Sequence, residues 1–120
     1  MNYRRWQIGT ALGAILISAA VYATTGAVQA YHDVLDTPAQ MSKLAPGTLL
    51  NSIASAGKRL IAVGHRGHIV YSDDQGKNWT QATAPVGSDL VAVYFTSDKK
   101  GWAVGHDGVV LHTSDGGSTW

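Results

Sequence analysis

Two histidines stand in the same setting, Gly64-His65-Arg66-Gly67 and Gly105-His106-Asp107-Gly108. Together His65, Arg66, His106 and Asp107 offer two imidazoles, a cation and a carboxylate, groups suited to holding a polar partner. His65 and His68 also give a His-x-x-His spacing of the kind a metal site uses. Position 68 becomes Val109 when the pattern recurs, and the chain has no cysteine and no glutamate to complete a ligand set. No metal and no cofactor are expected. Glycoside hydrolysis is the other chemistry to weigh, and it wants a pair of carboxylates or a tyrosine nucleophile with its partners. Every acidic side chain here is an aspartate, and Asp74, Asp98, Asp107 and Asp115 all fall in turns. Arg59 and Arg66 are the only arginines beyond Arg5. No catalytic residue is assigned.

The elements that must position these residues are set by a repeat. A shift of 41 residues lays the sequence on itself without a gap: Ala62-Val-Gly-His65 on Ala103-Val-Gly-His106, Gly67 on Gly108, Asp74 on Asp115, Gly76 on Gly117 and Trp79 on Trp120. Other positions swap like for like, Ile69 with Val110 and Ser72 with Thr113. A period of about 40–45 residues is that of a β-propeller blade. Each repeat reads as four short strands: Leu50–Ser55, Arg59–Val63, His68–Ser72 and Trp79–Ala82, rerun as Leu90–Phe95, Gly101–Val104 and Val109–Thr113. His65-Arg-Gly67 and His106-Asp-Gly108 suit tight hairpins in which glycine takes positive φ. In a blade that hairpin opens on the face away from the third turn, which brings His65, Arg66, His106 and Asp107 to one rim with Ser88 and Asp89.

The third turn carries a motif twice. Ser72-x-Asp74-x-Gly76-x-x-Trp79 and Thr113-x-Asp115-x-Gly117-x-x-Trp120 both read S/T-x-D-x-G-x-x-W, the Asp-box. The hydroxyl and the carboxylate bond amides within the turn, glycine supplies a conformation a Cβ would hinder, and tryptophan caps the hairpin. The motif builds a turn and carries no chemistry of its own. Asn78-Trp79-Thr80 is a glycosylation sequon only in form. Trp79, Trp102, Trp120, Tyr94 and Phe95 are assigned to packing between blades, with carbohydrate stacking as the alternative.

The first thirty residues stand apart. Arg4 and Arg5 precede an uncharged stretch from Ile8 to Ala30 that ends in Ala27-Val-Gln-Ala30, the pattern of a cleaved secretory signal peptide. The run is also long enough to anchor in a bilayer. Both readings deliver everything after Tyr31 across the membrane, to the periplasm or the outer face of a membrane. With Arg4 and Arg5 set aside, the remainder has a net charge of −1, no footprint for nucleic acid. The chain divides into a signal peptide or anchor at 1–30, a linker at 31–48 with Pro38 and Pro46, a first blade at 49–89 and an incomplete second blade at 90–120. Val34-Leu35 is a candidate outer strand for a closing blade.

Asp-boxes occur in sialidases, in sortilin-type receptor domains and in the photosystem II stability/assembly factor-like family. The runs Leu60–Trp79 and Gly101–Trp120 most resemble the last, whose blades carry a Gly-Trp-Ala-Val-Gly strand followed by a Thr-x-Asp-Gly-Gly-x-Thr-Trp turn. The resemblance implies an all-β fold, a propeller of four-stranded Asp-box blades of which about two are present, preceded by a signal-peptide helix. A full ring would take about seven such units, so the sequence is expected to be the start of a longer propeller. The resemblance further implies a non-catalytic assembly or stability factor whose partner is a protein, specifically a membrane protein or complex. The alternative is a sialidase-like hydrolase with its active site in further blades and carbohydrate as its substrate. The sialidase Arg-Ile-Pro signature and arginine cluster are absent from this sequence.

Overall fold

The computed structural model describes residues 30–120. The signal-peptide helix expected before them lies outside the described residues, Ala30 excepted. Seven strands form two antiparallel sheets. The first holds β1 (Leu50–Ala56), β2 (Arg59–Gly64), β3 (Ile69–Ser72) and β4 (Thr80–Gln81) in the order β1-β2-β3-β4. The second holds β5 (Leu90–Phe95), β6 (Gly101–Gly105) and β7 (Val110–Thr113) in the order β5-β6-β7. Each sheet is a propeller blade, and the described residues contain no α-helix.

The blades pack face to face because alternate side chains of a strand point to opposite faces. Ile61, Val63 and Ile69 of the first blade meet Leu90, Val93, Ala103 and Leu111 of the second in one buried cluster. Ile61, Val63, Ile69 and Leu90 are fully buried, and burying such a side chain is worth roughly 1.5–3 kcal/mol. Ala62 and Val70 point the other way and are covered by Ala45. That cover makes β2 buried on both faces, against the simple alternation of an open sheet.

The repeat needs one adjustment. From Leu60 onward the shift of 41 holds, since Ala62 pairs with Val70 as Ala103 pairs with Leu111. The first strand follows a shift of 40: Leu50 pairs with Gly64 as Leu90 pairs with Gly105, and both strands carry a bulge just after that leucine. The extra residue lies in the second blade's first turn, which runs between the paired Phe95 and Gly101 where the first runs between the paired Ser55 and Leu60.

The glycines of the Ala-Val-Gly-His run are fixed by close approach. A Cβ on Gly64 would sit 2.1 Å from the Leu49 carbonyl oxygen, and one on Gly105 2.3 Å from that of Asp89. This proximity lets the next amide, His65 or His106, donate to the same carbonyl at 3.0 and 2.9 Å. Gly101 opens β6 for a different reason, since its missing side chain leaves room for the Phe95 ring.

Residues 31–48 form a strap that is docked on the first blade. The Ala39 amide donates to the Ala84 carbonyl (3.1 Å) and the Gly87 amide to the Val34 carbonyl (2.8 Å). Gln81 receives the Ser42 amide on Oε1 and gives Nε2 to the Gln40 carbonyl. Val34 therefore lies beside the connection between the two blades.

Two aromatics assigned to packing are exposed. Trp102 is 37% and Tyr94 68% accessible. They lie on the face of the second blade that points away from the first, where the Trp102 and His112 rings meet at 5.0 Å, tilted by 48°. Phe95 and Trp120 do pack, edge to face at 6.0 Å.

Candidate functional site

The rim residues are carried on two turns of one design. His68 N–H bonds to the His65 carbonyl (3.0 Å) and Val109 N–H to the His106 carbonyl (3.1 Å). Between them Arg66 (φ 55, ψ 32) and Asp107 (φ 57, ψ 20) take the left-handed conformation, followed by Gly67 and Gly108 at φ 69 and 74. Positive φ at both central positions is the type I′ turn that matches the twist of a hairpin. The sequence pointed to the glycine and missed that the residue before it is left-handed as well.

The two turns are linked through the connection between the blades. The Asp89 carboxylate accepts the Arg66 amide on Oδ1 at 2.7 Å, and its Oδ2 is 3.7 Å from His65 Nε2. Ser88, only 2% exposed, donates Oγ to Asp107 Oδ2 at 2.6 Å. His65, Arg66, His106 and Asp107 are themselves exposed. Val34, Gly87, Ser88, Asp89, His106 and Asp107 line a cup of about 220 Å³ between the strap and the second turn. The structure thus brings His65 and Arg66 together with Asp89, and His106 and Asp107 together with Ser88. It separates His68 from them: that ring is buried, with Nδ1 3.2 Å from Thr48 Oγ1.

The Asp-boxes lie at the other end of the strands and are consumed by their own turns. Ser72 Oγ donates to Asp74 Oδ1 (2.8 Å) and accepts the Gly76 amide (2.8 Å), while Trp79 Nε1 donates to the Gly76 carbonyl (3.0 Å). Thr113, Asp115, Gly117 and Trp120 repeat this arrangement at 2.8, 3.0 and 3.0 Å. The Asn78 amide and side chain hold Asp74 at a pKa of about 2. Asp115 is held at about 2 chiefly by the Thr119 hydroxyl and amide. Such hydrogen bonds favour the charged carboxylate. Asn78, the acceptor of the formal sequon, thus has its side-chain amide on Asp74 (2.6 Å).

Arg59 is the residue that sequence reasoning missed. Its guanidinium forks onto Asp73 (2.6 and 3.0 Å) and reaches across the blade boundary to Ser118 Oγ (2.7 Å) and the Gly116 carbonyl (3.3 Å). It also lies 4.2 Å from the Tyr71 ring centroid. The bond to Asp73 raises its pKa further. The counterpart in the second blade is Lys100, so no recurring pattern marked the position. Asn51 works similarly, donating to the Leu90 carbonyl across the boundary at 2.8 Å.

A family model described as photosynthesis system II assembly factor YCF48 matches residues 32–114. The chain belongs to this family. Its match includes the strap as well as both blades, in keeping with the docking of residues 33–47 on the first blade. Among solved structures the chain is similar to one titled "YCF48 bound to D1 peptide", with 25% identity and a TM-score of 0.54 over 59% of this chain. The matched part is 24% of that structure's chain, so the present chain spans about a quarter of its length. No curated protein matches the sequence.

Proposed function

We propose that this chain is part of an exported, non-catalytic propeller that binds a segment of a membrane protein at its His65–Asp107 rim and assists assembly of the complex to which that protein belongs. The observation that carries the proposal is membership of the assembly-factor family over residues 32–114. The similar solved structure is titled as a complex with a D1 peptide, which supports a protein segment as the ligand. The use made of the polar side chains supports a binding role over hydrolysis. Arg59 is committed to a link between blades, and Asp74 and Asp115 are committed to turns. Loops held on a rigid scaffold are where binding surfaces are commonly built, and the rim turns meet that description. Export rests on the basic residues, uncharged run and Ala-Val-Gln-Ala30 end of the leader, with the periplasm or outer membrane face as destination.

The test is fluorescence anisotropy of a labelled D1 peptide titrated with the full chain. Saturable binding that weakens in His106→Ala and Arg66→Ala, and not in the outward-facing Lys58→Ala, is expected. No binding by the folded protein, or equal loss in all three variants, overturns the proposed rim. Mass spectrometry of the exported protein reads the leader: a mature N-terminus at Tyr31 means cleavage.

A further inference from the structure

Arg66 holds a backbone that its residue type disfavours. At φ 55 and ψ 32 it is left-handed, a conformation that crowds the Cβ of an L-residue and is visited readily only by glycine, asparagine and aspartate. Asp107, at φ 57 in the second turn, belongs to that group, and Arg66 does not. The Arg66 side chain gives the fold nothing in return. It is exposed, and among the described residues its guanidinium enters no hydrogen bond or salt bridge. The Arg59 guanidinium, by contrast, is spent on Asp73, Ser118 and Gly116. A disfavoured backbone persists where its surroundings hold it.

Asp89 supplies that hold. Its carboxylate accepts the Arg66 amide on Oδ1 at 2.7 Å and turns Oδ2 to His65 Nε2 at 3.7 Å. Its carbonyl accepts the His106 amide at 2.9 Å, so a single residue grips both turns. The carbonyl part of the grip belongs to the blade design: Leu49, the counterpart of Asp89 in the first blade, accepts the His65 amide in the same way at 3.0 Å. The carboxylate part does not, since a leucine side chain has no acceptor. The link from Asp89 to Arg66 is therefore an addition to the blade, made where the backbone needs support.

We propose that Asp89 is a positioning residue of the rim, whose carboxylate fixes the left-handed Arg66 backbone so that the Arg66 side chain meets the bound protein segment in one arrangement. Without the carboxylate the turn spends part of its time in other conformations, and affinity falls with the competent fraction. This inference rests on the rim as the binding surface and adds the residue that holds it ready.

The experiment is the anisotropy titration of labelled D1 peptide with the full chain and its variants, alongside 15N NMR relaxation of the free proteins. Asp89→Ala is expected to weaken binding by about fivefold, the net worth of one hydrogen bond to a charged acceptor in an exposed turn. It should also lower the order of the Arg66 and Gly67 amides and leave that of Asp107 unchanged. Asp89→Asn retains an acceptor oxygen and should bind within about twofold of the parent. Arg66→Asn should raise the urea midpoint, because asparagine suits left-handed backbone, and should weaken binding as Arg66→Ala does. In the Arg66→Asn background Asp89→Ala should bring no further loss of affinity, a dependence that a purely structural role for Asp89 would not produce. Parental affinity in Asp89→Ala, an Arg66 amide of unchanged order, or a further loss of similar size in the Arg66→Asn background overturns the proposal and leaves the rim standing. A parent chain that fails to bind the peptide sinks the rim and this inference with it.

Discussion

Removing the Arg59 guanidinium should loosen the boundary between the blades. The group makes three kinds of contact. Its fork onto Asp73 joins partners with 24% and 61% side-chain exposure, so solvent limits that pair to about 1 kcal/mol or less. The bonds to Ser118 Oγ and the Gly116 carbonyl cross the boundary and together contribute about 1–2 kcal/mol, given a charged donor in a partly exposed site. Stacking over Tyr71 at 4.2 Å adds about 0.5–1 kcal/mol. These contacts share one side chain and do not add fully, so Arg59→Met is expected to cost about 2–3 kcal/mol. Arg59→Lys keeps the charge but loses the planar fork that serves Asp73 and the second Asp-box at once, and should cost about 1–2 kcal/mol. The assay is urea unfolding of the full chain followed by tryptophan fluorescence. A double-mutant cycle with Ser118→Ala isolates the contact across the boundary, with a coupling of about 1 kcal/mol expected. An Arg59→Met protein within about 0.5 kcal/mol of the parent, or a Ser118 coupling near zero, would refute the reasoning.

Paired glycine substitutions separate close packing from backbone conformation. Gly67→Ala brings a Cβ within 2.0 Å of the Val86 carbonyl oxygen, whereas Gly108→Ala meets nothing within 4 Å. The first should therefore destabilise severely, and the second by only the left-handed penalty of about 1 kcal/mol, as read by thermal melts. Gln75 holds φ 60 where the second Asp-box has Gly116 at φ 73, so Gln75→Gly should stabilise by about 0.5–1 kcal/mol in urea. The pKa values of Asp74 and Asp115 are lowered from 3.8 to about 2 on folding. Their contribution is thus complete above about pH 4 and lost as pH falls from there towards 2. The urea midpoint should drop across that window, and by less in an Asp74→Asn, Asp115→Asn protein.

Much of the fold was legible because the same local solution is used twice. Two Asp-boxes at blade spacing fixed the third turn, and Ala-Val-Gly-His fixed the end of β2, where glycine has a carbonyl oxygen in place of a Cβ. The bulge after Leu50 and Leu90 was not legible, since a register shift leaves no mark in residue type when strand and turn change length together. The docking of the strap was equally hidden: residues 31–48 have no period, and their bonds run to β4 and the connection after it, some forty to fifty residues away. Trp102 was assigned to packing by analogy with other large aromatics; it occupies the position of Ile61, on the opposite face from Ala103, and is 37% accessible among the described residues.

The contrast between the repeats also separates the residues that make a blade from those that make this particular molecule. Ser72 or Thr113, Asp74 or Asp115, and the paired glycines recur because each blade needs the same turns, and their side chains are spent within the blade. The contacts across the boundary use positions where the repeats disagree: Asn51 against Val91, Arg59 against Lys100, and Asp89 against Leu49. Arg66 against Asp107 is such a position on the rim, with a cation on one turn and a carboxylate on the other over nearly identical backbones. If the turn alone governed these residues, exchanging them should be harmless. An Arg66→Asp, Asp107→Arg protein tests this directly. It should fold, because both left-handed positions remain filled by residues already seen in that conformation here. It should also lose binding of the D1 peptide at the rim, because the carboxylate that Ser88 holds at 2.6 Å is gone. Retained peptide binding in that protein would mean that position 107 serves the turn and nothing more.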